Sequence, residues 1–140
     1  VLHLAKLCVG VADVAELRAW QVQRVRENPP LRHLTRQMPR RAAEIVAGGS
    51  LYWVVQGAMV VRQRVVDIRP DQLADGSACA ALVLEPRLVA VEARPTRPFQ
   101  GWRYLHPEAA PADVAQAALP RDLAALPDAL RRALRDLRLV

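Results

Sequence analysis

The chain has 140 residues, the size of one ordinary domain, of which 52% are hydrophobic and 24% charged. That apolar content excludes a disordered tail, and no apolar run approaches the ~20 residues a membrane helix needs. Two cysteines, Cys8 and Cys79, cannot build a disulfide framework and point to a reducing compartment, so a cytoplasmic protein is expected.

The net charge of +6 makes an anionic partner worth seeking. All of the 20 basic residues except Lys6 are Arg. Paired with abundant Ala, that bias is what GC-rich coding produces, so position matters more than type. The whole excess falls in residues 18–41, where seven Arg face only Glu27. Such a block reads as an electrostatic footprint for nucleic acid or as a solvated face.

In chain order, Val1–Gly10 is apolar like a leader, but Lys6 interrupts it and no small-residue cleavage site follows. It reads as a first strand. A helix is expected over 13–27, because Asp13 and Glu16 have capping-box spacing and Asn28-Pro-Pro30 stops it. Leu31–Met38 is a short extended candidate. Pro39 opens a helix over 40–47, closed by Gly48-Gly49.

Leu51–Val55 is β-branched and aromatic, and Ala58–Ile68 answers it across a Gln56-Gly57 turn, which predicts an antiparallel hairpin. Arg69-Pro70 is expected to end that second strand. Cys79–Leu84, Leu88–Ala93 and the aromatic stretch Phe99–Leu105 are further strand candidates. From His106 onward Ala and Leu dominate. Asp128–Leu139 is amphipathic, with Leu130, Ala133, Leu134 and Leu137 on one stripe. The expected organisation is an α+β core over 1–105 and a helical extension over 106–140. The core is a mixed, mostly antiparallel sheet of five or six strands curling toward a small barrel.

Catalytic chemistry has little material here. Ser50 sits in no nucleophile elbow, Gly48-Gly49 in no phosphate loop. His3, His33, His106, Cys8 and Cys79 lack metal-ligand spacing, so no metal or cofactor is expected. Binding chemistry has more. Arg40 and Arg41 fall in the first turn of the second expected helix, where cations oppose the macrodipole, a cost that an anion bound there would offset. Arg36 lies just upstream. Arg62 and Arg64, two apart on a strand, share one sheet face. Tyr52 and Trp53 take opposite faces, one core and one exposed. Trp102-Arg103-Tyr104 puts two aromatics on one face and Arg103 on the other. Rings beside guanidinium groups hold single-stranded nucleic acid by stacking and phosphate pairing.

The motifs Leu2-His-Leu4, Lys6-Leu7, Gly48-Gly-Ser-Leu-Tyr-Trp-Val54, Arg62-Gln-Arg64, Asp67-Ile-Arg-Pro70 and Phe99-Gln-Gly-Trp-Arg-Tyr-Leu105 resemble a family of small alphaproteobacterial proteins catalogued as domain of unknown function 1489. The resemblance covers residues 2–105 and implies a bacterial origin, but no mechanism. Helix, glycine, strand, turn and basic strand over 40–68 is also similar in order to PUA-like and ASCH domains, whose barrels typically bind RNA or modified bases.

The function expected is a non-enzymatic RNA-binding or nucleotide-recognising module. Arg36, Arg40 and Arg41 hold phosphate, Arg62, Arg64 and Arg103 line the path, and Trp53, Trp102 and Tyr104 offer stacking faces. A second reading is an interaction module that dimerises through Leu130, Leu134 and Leu137. A third is a small-ligand enzyme using His33 or His106 as acid–base.

Overall fold

The computed structural model describes residues 1–114. The expected helix over 128–139, with Leu130, Leu134 and Leu137, lies outside the described residues.

Strand β1 (His3–Leu7) is followed by helix α1 (Val14–Glu27), strand β2 (Arg32–Thr35) and a short helix α2 (Ala42–Val46). Strands β3 (Ser50–Val55), β4 (Ala58–Gln72), β5 (Ala78–Leu84), β6 (Val89–Pro95) and β7 (Trp102–Leu105) follow. Helix α1 begins as the sequence dictates: Asp13 is the N-cap, and its Oδ1 accepts from the Glu16 N–H at 2.8 Å. It ends at Asn28, before two prolines.

All seven strands form one sheet in the order β2-β5-β4-β3-β1-β7, with β6 also on β4. Only β1 and β3 run parallel; the other pairs are antiparallel. The sheet is α+β in character and mostly antiparallel, as expected, but it has more strands than expected and stays open rather than closing into a barrel.

Strand β4 is the spine. It pairs with β3 over 58–64, with β6 over 58–62 and with β5 over 65–72. The strand continues through Pro70, contrary to expectation. The reason is that β3 covers β4 only as far as Arg64, so Pro70 pairs with Ala80 alone and its missing N–H falls where no second strand needs it. The β3–β4 connection has positive φ at both Gln56 and Gly57, the signature of a type I′ turn.

The core has two sides. On one, Leu4, Leu51, Trp53, Val61, Val65, Leu82 and Leu84 pack under Val14 and Leu17 of α1 and Ile45 of α2. On the other, Ala5, Tyr52, Val54, Met59, Val91 and Leu105 gather with Phe99 and Ala110. Because both faces are covered, Tyr52 and Trp53 are both buried, at 4% and 3% exposure, and the expected exposed partner does not exist. Past Leu105 the chain returns to the sheet. The Glu92 N–H donates to the Ala112 carbonyl and the Val114 N–H to the Ala90 carbonyl, which brings Asp113 alongside β6.

Two glycines close α2. Gly48 has a φ of 140°, and a Cβ on Gly49 would collide with the Leu2 carbonyl and lie 2.7 Å from that of Ile45. This close approach lets β1 run beside β3.

Candidate nucleic-acid interface

Segment 36–41 leaves β2 and is fastened to β7 by two ring-bearing side chains. Trp102 donates from Nε1 to the Gln37 carbonyl at 3.0 Å, and the Arg41 N–H donates to the Tyr104 hydroxyl at 3.2 Å. The two rings meet edge to face, 4.9 Å apart. The Arg41 guanidinium lies 5.8 Å from the Tyr104 ring centre. Pro39, fully buried, anchors the segment between them.

Between this segment and β7 lies a cleft of about 580 Å³. Lys6, Arg36, Gln37, Gln100 and Trp102 contribute its polar and aromatic walls, and among the described residues no carboxylate lines it. Register explains the grouping. Lys6 is directly opposite Trp102 on β7 and Trp53 on β3, so all three project from one face of the sheet. Burial lowers the Lys6 pKa from its ordinary value. Arg36 and Arg40 are exposed and have no hydrogen-bond or ion-pair partner among the described residues.

The nine side chains expected to form one path separate into two groups. Arg36, Arg41, Trp102 and Tyr104 come together here, and Arg40 is exposed on the same segment. Arg41 is matched by Glu44, with bonds of 2.5 and 2.8 Å that raise the guanidinium pKa and lower that of the carboxyl. Helix α2 has only five residues, with Arg41 as its N-cap and Arg40 outside it, so no helix-dipole anion site exists. Trp53 shares this face but is buried, donating from Nε1 to Gln63 Oε1 at 2.8 Å, and does not line the cleft.

Arg62, Arg64 and Arg103 belong to the other face, opposite Tyr52, Ser50 and Ala5 in register. Each is occupied. Arg62 grips Asp113 with two bonds of 2.7 and 2.8 Å and donates to Ser50 Oγ at 3.0 Å. Arg64 donates to the carbonyls of Val46, Gly49 and Val65, closing the end of α2. Arg103 lies 4.4 Å from the Phe99 ring centre. A sheet separates these three from the cleft, so they do not extend its path. Sequence reasoning passed over Lys6 as a site residue, although a lone lysine interrupting an apolar strand was the signal.

The residues needed for acid–base or metal chemistry do not assemble. Among the described residues no three His, Cys, Asp or Glu side chains converge as metal ligands. Burial pushes the Cys8 thiol up to about 11, which keeps it protonated. His106 is exposed at the start of the 3-10 turn Pro107–Ala109. His33 sits in a separate cavity under α1 that no carboxylate of the described residues lines.

Fold and site together define an α+β protein built on one open, mixed sheet with a cationic cleft at one end. Residues 4–140 match the model of a family described as protein of unknown function (DUF1489), and the chain belongs to that family. The match runs beyond the residues 2–105 on which the likeness was read, taking in the C-terminal extension. None of the curated proteins and no solved structure matches the chain. Among the described residues, no helix is long and apolar enough to cross a membrane.

Proposed function

We propose that the protein is a non-enzymatic module that binds single-stranded RNA through the cleft between segment 36–41 and β7. One observation carries this reading: Lys6 and Arg36 line a cleft to which no carboxylate of the described residues contributes, with Trp102 in its wall. Arg40, exposed on the same segment 36–41, adds a further cation without a partner among the described residues. Phosphates fit the cations, and a base fits against the indole. Arg62, Arg64 and Arg103 have no part in this version, because their neighbours already use them.

The test is filter binding of a short unstructured RNA to the full chain over a salt series. Binding is expected to weaken linearly with log salt, and Arg36→Ala with Arg40→Ala is expected to lower the slope by roughly 1.4, at about 0.7 per phosphate contact on a single strand. An affinity without salt dependence, or a slope unchanged in the double variant, refutes the reading. RNA binding lost equally on Arg103→Ala would place the interface on the other face of the sheet and refute it too.

A further inference from the structure

A second cavity, of about 210 Å³, opens between α1 and β2, separate from the cleft. Leu17, Leu31, Leu84 and Trp53 make apolar walls, and Arg24 and Arg32 stand at the rim that it shares with a neighbouring surface hollow. Into this space comes one polar group with no partner. His33 Nε2 is buried and makes no hydrogen bond, while its ring meets Trp53 edge to face at 5.1 Å. A buried polar atom left unpaired is unfavourable, so a group that supplies its partner is favoured there. The other polar wall, Gln21, is already bonded to Gln63 in both directions.

Cations predominate at the cavity: Arg24 and Arg32 line it, while Glu16 is felt at Cys8 in its wall and Glu27 lines the neighbouring hollow. Lys6 and Arg24 are the charges felt by His33, and both oppose its protonation, together with burial as the larger cause. The ring therefore stays neutral and can donate from one nitrogen. Among the described residues no carboxylate lines the walls. A cavity of ~150 Å³ suffices for benzene, so this one has room for a ring and a small polar group.

We propose that this cavity binds a small monocarboxylate with an aromatic body, its ring against Trp53 and the leucines and its carboxylate toward His33 Nε2 and the Arg24 and Arg32 guanidinium groups. The shape selects the apolar body and the two rim arginines select the anion. A neutral compound of the same shape gains only the first. Water can satisfy the histidine but leaves the apolar walls unfilled.

Benzoate is the probe, with benzamide as the neutral match and acetate as the anion without a body. The full chain is titrated with each, following tryptophan fluorescence and the His33 ring protons by NMR. Benzoate is expected to saturate both signals and to bind about tenfold or more tightly than benzamide, as a charge-assisted hydrogen bond implies. Acetate is expected to leave the fluorescence unmoved. Arg24→Ala with Arg32→Ala, at rim positions, is expected to bring benzoate down to the level of benzamide without weakening benzamide. Leu84→Trp fills the cavity and is expected to abolish both responses with the circular dichroism retained. Benzamide binding as tightly as benzoate, or no saturable change at His33, overturns the proposal. Neither result bears on the RNA titration, because the two spaces share no lining residue.

Discussion

Replacing Gln63 with Leu is the sharpest probe of how this core is specified. Gln63 is completely buried in the middle of β4, and its amide is fully used. Oε1 accepts from Trp53 Nε1 and Gln21 Nε2, both at 2.8 Å, while Nε2 donates to Gln21 Oε1 at 2.7 Å and to the Glu85 carbonyl at 3.1 Å. Leucine fills a similar volume, so the loss is polar rather than steric. It strands the Trp53 N–H, both ends of the Gln21 amide and the Glu85 carbonyl. At roughly 1–3 kcal/mol per orphaned buried group the gross penalty is large, but Gln21 borders the α1 cavity, where water replaces part of what it loses. A net cost of about 3 kcal/mol is expected. With an m-value of about 1.5 kcal/mol/M, the urea midpoint falls by about 2 M, read from circular dichroism. The double variant with Gln21→Leu removes the stranded amide and is expected to cost at least ~1 kcal/mol less than the sum of the singles. A Gln63→Leu cost below ~1 kcal/mol, or strict additivity in the cycle, refutes the reasoning.

Three further outcomes are expected. His33 is pushed down to about 4, chiefly by burial, whereas in the unfolded chain it titrates near its ordinary value of 6.5. Between those limits the unfolded state binds more protons, so stability falls as pH drops from about 6.5 toward 4, by on the order of 3 kcal/mol from this group. Comparing urea midpoints with His33→Phe over that range tests it, since the variant must lose that part of the pH dependence. The Arg62 guanidinium holds the Asp113 carboxyl below its ordinary value of 3.8. The pair therefore contributes above that pH and is lost as pH falls through the lowered value, and Asp113→Asn should cost about 1 kcal/mol or less at neutral pH, since the pair is partly solvated. An unchanged midpoint at pH 7 would leave the bidentate bond without energetic weight. Finally, Gln56→Asn should stabilise by a few tenths of a kcal/mol, because asparagine tolerates a positive φ, while Gly49→Ala should be among the most damaging small substitutions, with two backbone carbonyls in its way; thermal melts rank the two.

What could be read in the sequence was local. Asp13 and Glu16 announced α1, and Gln56-Gly57 between two β-branched runs announced the central hairpin. Gly48-Gly49 marked the end of α2, though the helix itself is shorter than Pro39 suggested. What could not be read depended on partners far along the chain. Arg62 looked free until Asp113, 51 residues later, came beside it. Gln21 is a polar residue buried beside Val14 and Leu17 of α1, and only Gln63, 42 residues away, makes it half of a buried amide pair. Tyr52 and Trp53 were expected to divide between core and solvent because alternation assumes one wet face, and β3 has none. Trp102 and Tyr104 lie against segment 36–41 through Gln37 and Arg41, contacts between residues more than sixty positions apart, while the register places Arg103 on the reverse side.

The parallel pairing of β1 with β3 has a temporal side. The run from β3 through β6 is a succession of near neighbours, each of which can find its mate soon after it is made. Strand β1 must instead wait for β3 across a helix, a short strand and a second helix, and its other edge is met only by β7, about a hundred positions on. Contacts of such long sequence separation slow folding. The earliest strand of the chain is therefore among the last to be locked in. Until then the wall that carries Lys6 is unbuilt, so the cleft takes shape only when the whole sheet does.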